Sequence, residues 1–155
     1  MSERHTTMYI VVHCSATPFD RDIGAEEIRK WHTDPAPAGN GWSDIGYHLV
    51  IRRDGRIEPG RPLNAVGAHV KGKNGVSVGV CLVGGLTLEF APHDNFTRRQ
   101  YESLHTTVEF LRALYPDAEV LGHRDFDGEN KACPCFSVQT WAAKVGITVN
   151  PTATE

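Results

Sequence analysis

The residues with the most chemical content are two histidines and two cysteines that lie far apart in the chain. His13 ends the run "MYIVVH", and "GHRDFDGENKACPCF" carries His123, Lys131, Cys133 and Cys135. Two imidazoles and one thiolate, with a fourth position left open, make a catalytic zinc arrangement; a structural zinc site more often has four protein ligands. The soft thiolate argues against magnesium and calcium, which prefer oxygen donors. Both histidines close strand-like runs and the cysteines lie in the loop beyond, where functional groups collect on α/β scaffolds.

Alternation narrows the donor set. Cys14 directly follows His13 on a strand, so it faces the other way. A proline and the residue before it favour extended backbone. An extended Cys133-Pro134-Cys135 therefore aims its two thiols to opposite sides, and one of them meets the metal. Spacing does not choose between them. Cys81, inside "VGVCLVG", reads as a packed core thiol. His5, His32, His93 and His105 read as ordinary core or surface histidines.

The elements that position these groups follow from periodicity. "MYIVVH" and "SVGVCLVGG" are apolar, β-branched runs and read as buried strands. "GYHLVIRRDGRIEPG" reads as a hairpin around Asp54-Gly55, and "AEVLGH" as a short strand ending at His123. "GAEEIRKWH" reads as a short helix with Ile28 and Trp31 on one face, acids early and bases late. "TRRQYESLHTTVEFLRALYP" is the clearest helix: Thr97 and Gln100 form a capping box, and Tyr101, Leu104, Val108, Leu111 and Leu114 share a face. "SVQTWAAKVG" is a helix capped by Ser137 and ended near Gly146. Strands alternate with helices but a hairpin interrupts them, which implies an α/β fold with a mixed central sheet flanked by helices. The expectation is one domain over 8–146, with 1–7 and 147–155 as flexible tails.

Composition limits the partners. A chain of 155 residues is one domain on length, and buries roughly 70% of its unfolded surface. The net charge of −3 with 16 Lys+Arg gives no polybasic stripe, so nucleic acid is not the expected partner. The start lacks a signal-peptide pattern and no apolar run approaches the roughly 20 residues of a membrane span. The expectation is a cytoplasmic, reduced, monomeric protein in which thiols serve metal or core rather than disulfides.

Read together, "VVHCSAT", "GWSDIGYHLVIRRDG", "AVGAHVKGKN", "SVGVCLVGG", "NFT", "GHRD" and "KACPCF" resemble, in the same order, the zinc-dependent N-acetylmuramoyl-L-alanine amidases. The similarity covers about Ile10 to Trp141 and is strongest to the short lysozymes (endolysins) of tailed phages; peptidoglycan recognition proteins share the domain. The resemblance implies one zinc per chain on His13, His123 and Cys133, a catalytic pair of Tyr47 and Lys131, and His69 lining the substrate groove. It selects Cys133 over Cys135, which falls where the phage enzymes carry serine. The stretch His123 to Lys131 is longer than in those lysozymes, which bears on how Lys131 approaches the metal.

The implied reaction is hydrolysis of the amide between N-acetylmuramic acid and L-alanine in peptidoglycan. Zinc lowers the pKa of bound water to about 7 and polarises the carbonyl. Lys131 would stabilise the oxyanion, and Tyr47 would orient by hydrogen bonding rather than abstract a proton. No His-Glu-x-x-His helix supplies a protease-type base. His48 alternates away from Tyr47 and reads as structural, while Lys71 and Lys73 could steer an acidic stem peptide. Alternatives are a non-cutting peptidoglycan-binding module, whose members generally lack the "KACP" cysteine, and a wall-recycling amidase, which usually has aspartate there. One phage lysozyme of this kind also inhibits its phage's RNA polymerase; no residue here marks such a contact. Without an export signal, a lytic role implies release onto the wall after the membrane is permeabilised.

Overall fold

A strand with no polar alternation must be covered on both faces, and Tyr9–Cys14 (β1) takes an interior place in the sheet. The computed structural model describes residues 1–126 and 132–153; Lys131 falls outside them. The chain order is β1, β2 (Thr17–Pro18), α1 (Ala25–Thr33), β3 (Leu49–Ile51), β4 (Ile57–Pro59), β5 (Ser77–Leu82), β6 (Gly85–Leu86), α2 (Arg98–Leu114), β7 (Glu119–Gly122) and α3 (Val138–Val145). Five strands form one sheet in the order β4-β3-β5-β1-β7, and β2 pairs with β6 apart from it. All its pairings are parallel except β3 with β4, so the sheet is mixed as the interrupted alternation implies.

Each face of the sheet has its own cover. Ile10, Val12, Cys14, Val78, Val80 and Leu82 pack with Leu104, Val108 and Leu111 of α2 and with Trp141 and Ala142 of α3. On the other face Val50, Cys81 and Val83 pack with Ala25 and Ile28 of α1 and with Ile45. Two expected apolar positions fall short: Leu114 is 49% and Trp31 44% exposed.

Helix ends follow the sequence. Thr97 accepts from Gln100 N–H at 3.0 Å, and the Gln100 side chain accepts from Thr97 N–H at 3.0 Å. Gln100 is fully buried, and its amide also donates to Ile51 O at 3.2 Å and Val83 O at 2.8 Å. It thereby stitches α2 to β3 and to the end of β5. Gln100→Ala is expected to lower stability by about 1–3 kcal/mol through unsatisfied buried partners, measured as a lower urea midpoint.

The segments expected as tails carry contacts. Arg4 is buried and donates to Ala65 O at 2.9 Å and Tyr115 Oη at 3.0 Å. Val149 O accepts from Val120 N–H at 2.8 Å, and Ile147 and Val149 pack against the core. No helix among the described residues is long and apolar enough to cross a membrane.

Candidate metal centre

Parallel register brings the two histidines together. Val12 pairs with Gly122 across β1 and β7, so the next residue on each, His13 and His123, emerges at the same carboxyl-terminal edge. Their rings lie 4.7 Å apart between centroids. Arg124 N–H donates to Cys133 O at 2.8 Å and ties the cysteine loop to the end of β7. Cys133 Sγ then lies 3.9 Å from His13 Nδ1. One donor atom from each of His13, His123 and Cys133 falls within 4.8 Å of the others. Tetrahedral zinc with bonds of about 2.0–2.3 Å would need them roughly 3.3–3.6 Å apart, so the donor types and their convergence fit that ion after a small contraction.

The Cys-Pro-Cys run is not extended. Cys135 has φ of 73° and its N–H donates to Ala132 O at 2.5 Å, which makes a turn, and the Cys133–Pro134 peptide is cis. The thiols diverge nonetheless: Cys133 faces His13, whereas Cys135 Sγ lies 3.9 Å from Cys14 Sγ and donates to Gly85 O at 3.3 Å. Cys14 faces away from His13 as alternation requires, but its backbone N–H donates to Cys133 Sγ at 3.3 Å. The Cys14 thiol itself is pushed up to about 12, chiefly by its contact with Cys133, and the Cys135 thiol is pushed up chiefly by Cys14.

The protonation of His13 is set from behind. Ser77 Oγ donates to Lys73 O at 2.8 Å, so it can only accept from His69 Nε2, 3.2 Å away. His69 Nδ1 must then be the lone-pair nitrogen, and His13 Nε2–H donates to it at 2.8 Å. That leaves the lone pair of His13 on Nδ1, the atom facing Cys133 Sγ. Burial, then His69, His123 and His48, holds His13 well below the ordinary imidazole value. Burial also brings His69 down to about 3. Both rings are therefore neutral at pH 7. The resemblance assigns His69 to the substrate groove; in the fold its Nδ1 meets His13 and its Nε2 meets Ser77.

This relay is an expected point of sensitivity. His69→Ala should weaken zinc binding by about 10–100-fold, the usual cost of losing an outer hydrogen bond to a ligand, read as faster metal loss to a competing chelator. Zinc retention equal to the parent protein would remove His69 from that role. The sequence holds no signal for the relay, since His69 and Ser77 lie on either side of a Gly/Lys loop and meet only when the loop folds.

Tyr47 stands beside the cluster, its ring 5.1 Å from the His13 ring and 5.6 Å from His32. His32 is fixed in turn, its Nδ1 accepting from Gly46 N–H at 2.9 Å. Burial first, then the sulfurs of Cys81, Cys133 and Cys14, holds the Tyr47 phenol well above its usual value. The phenol therefore stays protonated at neutral pH. Cys81, read as a packing thiol, is in hydrogen-bond contact with this tyrosine. His48 is structural as expected: its Nδ1 accepts from Gly79 N–H at 3.0 Å and its Nε2 lies 2.8 Å from Ala65 O. Lys71 and Lys73 are exposed.

Comparison with known proteins gives one consistent answer. The sequence profile described as N-acetylmuramoyl-L-alanine amidase matches residues 3–136. The endolysin of Enterobacteria phage K11 is 47% identical over 140 residues, 90% of this chain and 88% of that protein. The endolysin of Escherichia phage T7 is 43% identical over 142 residues, 92% and 89% of the two chains. Among solved structures, the N-acetylmuramoyl-L-alanine amidase LysC from Clostridium intestinale URNW superposes with a TM-score of 0.76 at 28% identity, covering 94% of this chain and 89% of its own.

Proposed function

The chain belongs to the N-acetylmuramoyl-L-alanine amidase family, and from that premise we propose that it is a zinc enzyme whose metal is held by His13, His123 and Cys133. It is a peptidoglycan-hydrolysing amidase of the phage endolysin type. The bond cut joins N-acetylmuramic acid to L-alanine. The observation that carries the metal assignment is the convergence of two imidazoles and one thiol at the sheet edge. A zinc ion bound there supplies Lewis acidity toward water and the scissile carbonyl.

The protein's own groups do the rest. His69 and Ser77 keep the His13 lone pair on Nδ1, and the Cys14 amide steadies the Cys133 sulfur. Tyr47, held protonated, donates to the oxygen on which charge develops. Lys131, which the resemblance pairs with Tyr47, adds a second positive charge there. The test is metal analysis of the purified protein combined with turbidity loss on purified cell wall. Zinc near one per chain with release of L-alanine amino termini is expected; wall binding without new amino termini would overturn the catalytic reading.

The similarity to phage endolysins supports timed release onto the wall. Expressed alone in a Gram-negative host, the protein is expected to leave cells intact until chloroform breaches the membrane, and then to lyse them promptly. Lysis without chloroform would overturn this, leaving the assay on purified wall as the separate measure of activity.

A further inference from the structure

Two cysteines outside the proposed donor set face each other directly behind it. Cys14 Sγ and Cys135 Sγ lie 3.9 Å apart. Cys14 is 5% exposed, whereas Cys135 is half-buried, so Cys135 is the thiol that a solution reagent reaches first. Gly85 makes the meeting possible: a Cβ there would come within 2.9 Å of Cys14 Sγ and 3.5 Å of Cys135 Sγ, and its φ of 97° suits glycine. A disulfide needs about 2.05 Å between sulfurs, so closing the pair takes a movement of about 1.9 Å from the 3.9 Å seen.

We propose that Cys14 and Cys135 form a disulfide when the protein meets a disulfide oxidant, and that this bond clamps the zinc donors together. Each partner is chained to a donor: Cys14 follows His13 on β1, and Cys135 lies two residues past Cys133. The crosslink therefore joins the strand that carries His13 to the loop that carries Cys133. The reaction is an exchange with a small disulfide such as oxidised glutathione. The Cys135 thiol loses its proton and its sulfur attacks one glutathione sulfur, forming a mixed disulfide and releasing one glutathione thiolate. The Cys14 thiol loses its proton and its sulfur then attacks Cys135 Sγ, releasing the second. Two thiols are oxidised to one disulfide, one glutathione disulfide is reduced to two thiols, and the two protons go to solvent or to the released thiolates. A protein that moves from a reducing interior to an oxidising exterior would change state in this way. The inference stands on thiol geometry and does not depend on the amidase activity.

The experiment incubates the purified zinc-loaded protein with oxidised glutathione at pH 8 and counts thiols after denaturation, with peptide mapping. The expected result is a fall from four thiols to two, a linked pair of peptides carrying Cys14 and Cys135, and reversal by dithiothreitol. The oxidised form should also lose zinc to a chelator several-fold more slowly than the reduced form. Cys135→Ser should give no intramolecular crosslink while keeping its zinc. Four remaining thiols, a mixed disulfide stalled on Cys135, or a bond that includes Cys133 would each overturn the proposal. A Cys14–Cys135 bond that leaves zinc release unchanged would overturn the clamp.

Discussion

Cys133→Ser is expected to strip the protein of zinc, while Cys135→Ser keeps about one zinc per chain. The two residues are separated by a single proline, and composition offers no reason to treat them differently. Geometry does. Cys133 Sγ lies 3.9 Å from His13 Nδ1 and receives the Cys14 amide at 3.3 Å, so it faces the proposed donor cluster with its own supporting hydrogen bond. Cys135 Sγ is turned toward Cys14 and Gly85. Removing a direct thiolate donor should cost more than the about 10–100-fold associated with an outer hydrogen bond, so dialysis should empty the serine variant. Zinc content by atomic absorption after dialysis checks this. Equal loss from both variants would mean that the turn presents the wrong cysteine, and Cys81, fully buried and next to Tyr47, would not rescue the assignment.

Tyr47→Phe is expected to keep fold and zinc while lowering turnover by about 10²-fold or more. The change removes one hydroxyl and leaves the ring that packs between His13 and His32. Burial and the surrounding sulfurs hold the phenol well above its usual value, so it remains a proton donor at and well above neutral pH. A donor whose hydrogen bond strengthens as charge develops acts on the rate constant, so kcat should fall with little change in KM. Lys131→Ala should behave alike, on the strength of its pairing with Tyr47 in the resemblance. Near-parental turnover by the phenylalanine variant with zinc bound would show that its hydroxyl takes no part in the reaction.

The sequence by itself determined the main elements and pointed to the candidate donors. Continuous β-branched runs become the interior strands β1 and β5, the Thr97/Gln100 box starts α2, and Ser137 and Gly146 bound α3, because these signals are local and satisfy backbone groups within one turn. His13, His123 and Cys133 were legible as a set because a thiolate with two imidazoles suits few metals, and the ordered motifs added the choice of cysteine. Three things waited for the tertiary structure. The turn at Cys135 replaced the extended run that local proline rules imply, since a hydrogen bond to Ala132 and contacts with β1 and β6 outweigh the local preference. Arg4 and Val149 are tied into the domain, because their partners Ala65, Tyr115 and Val120 are remote in sequence. The relay from Ser77 through His69 to His13 also links groups 8 and 56 residues apart, and hydrogen bonds between positions that far apart leave no periodic trace in the chain. Local order is written in neighbouring residues; the protonation of a ligand is decided by what folding brings up behind it.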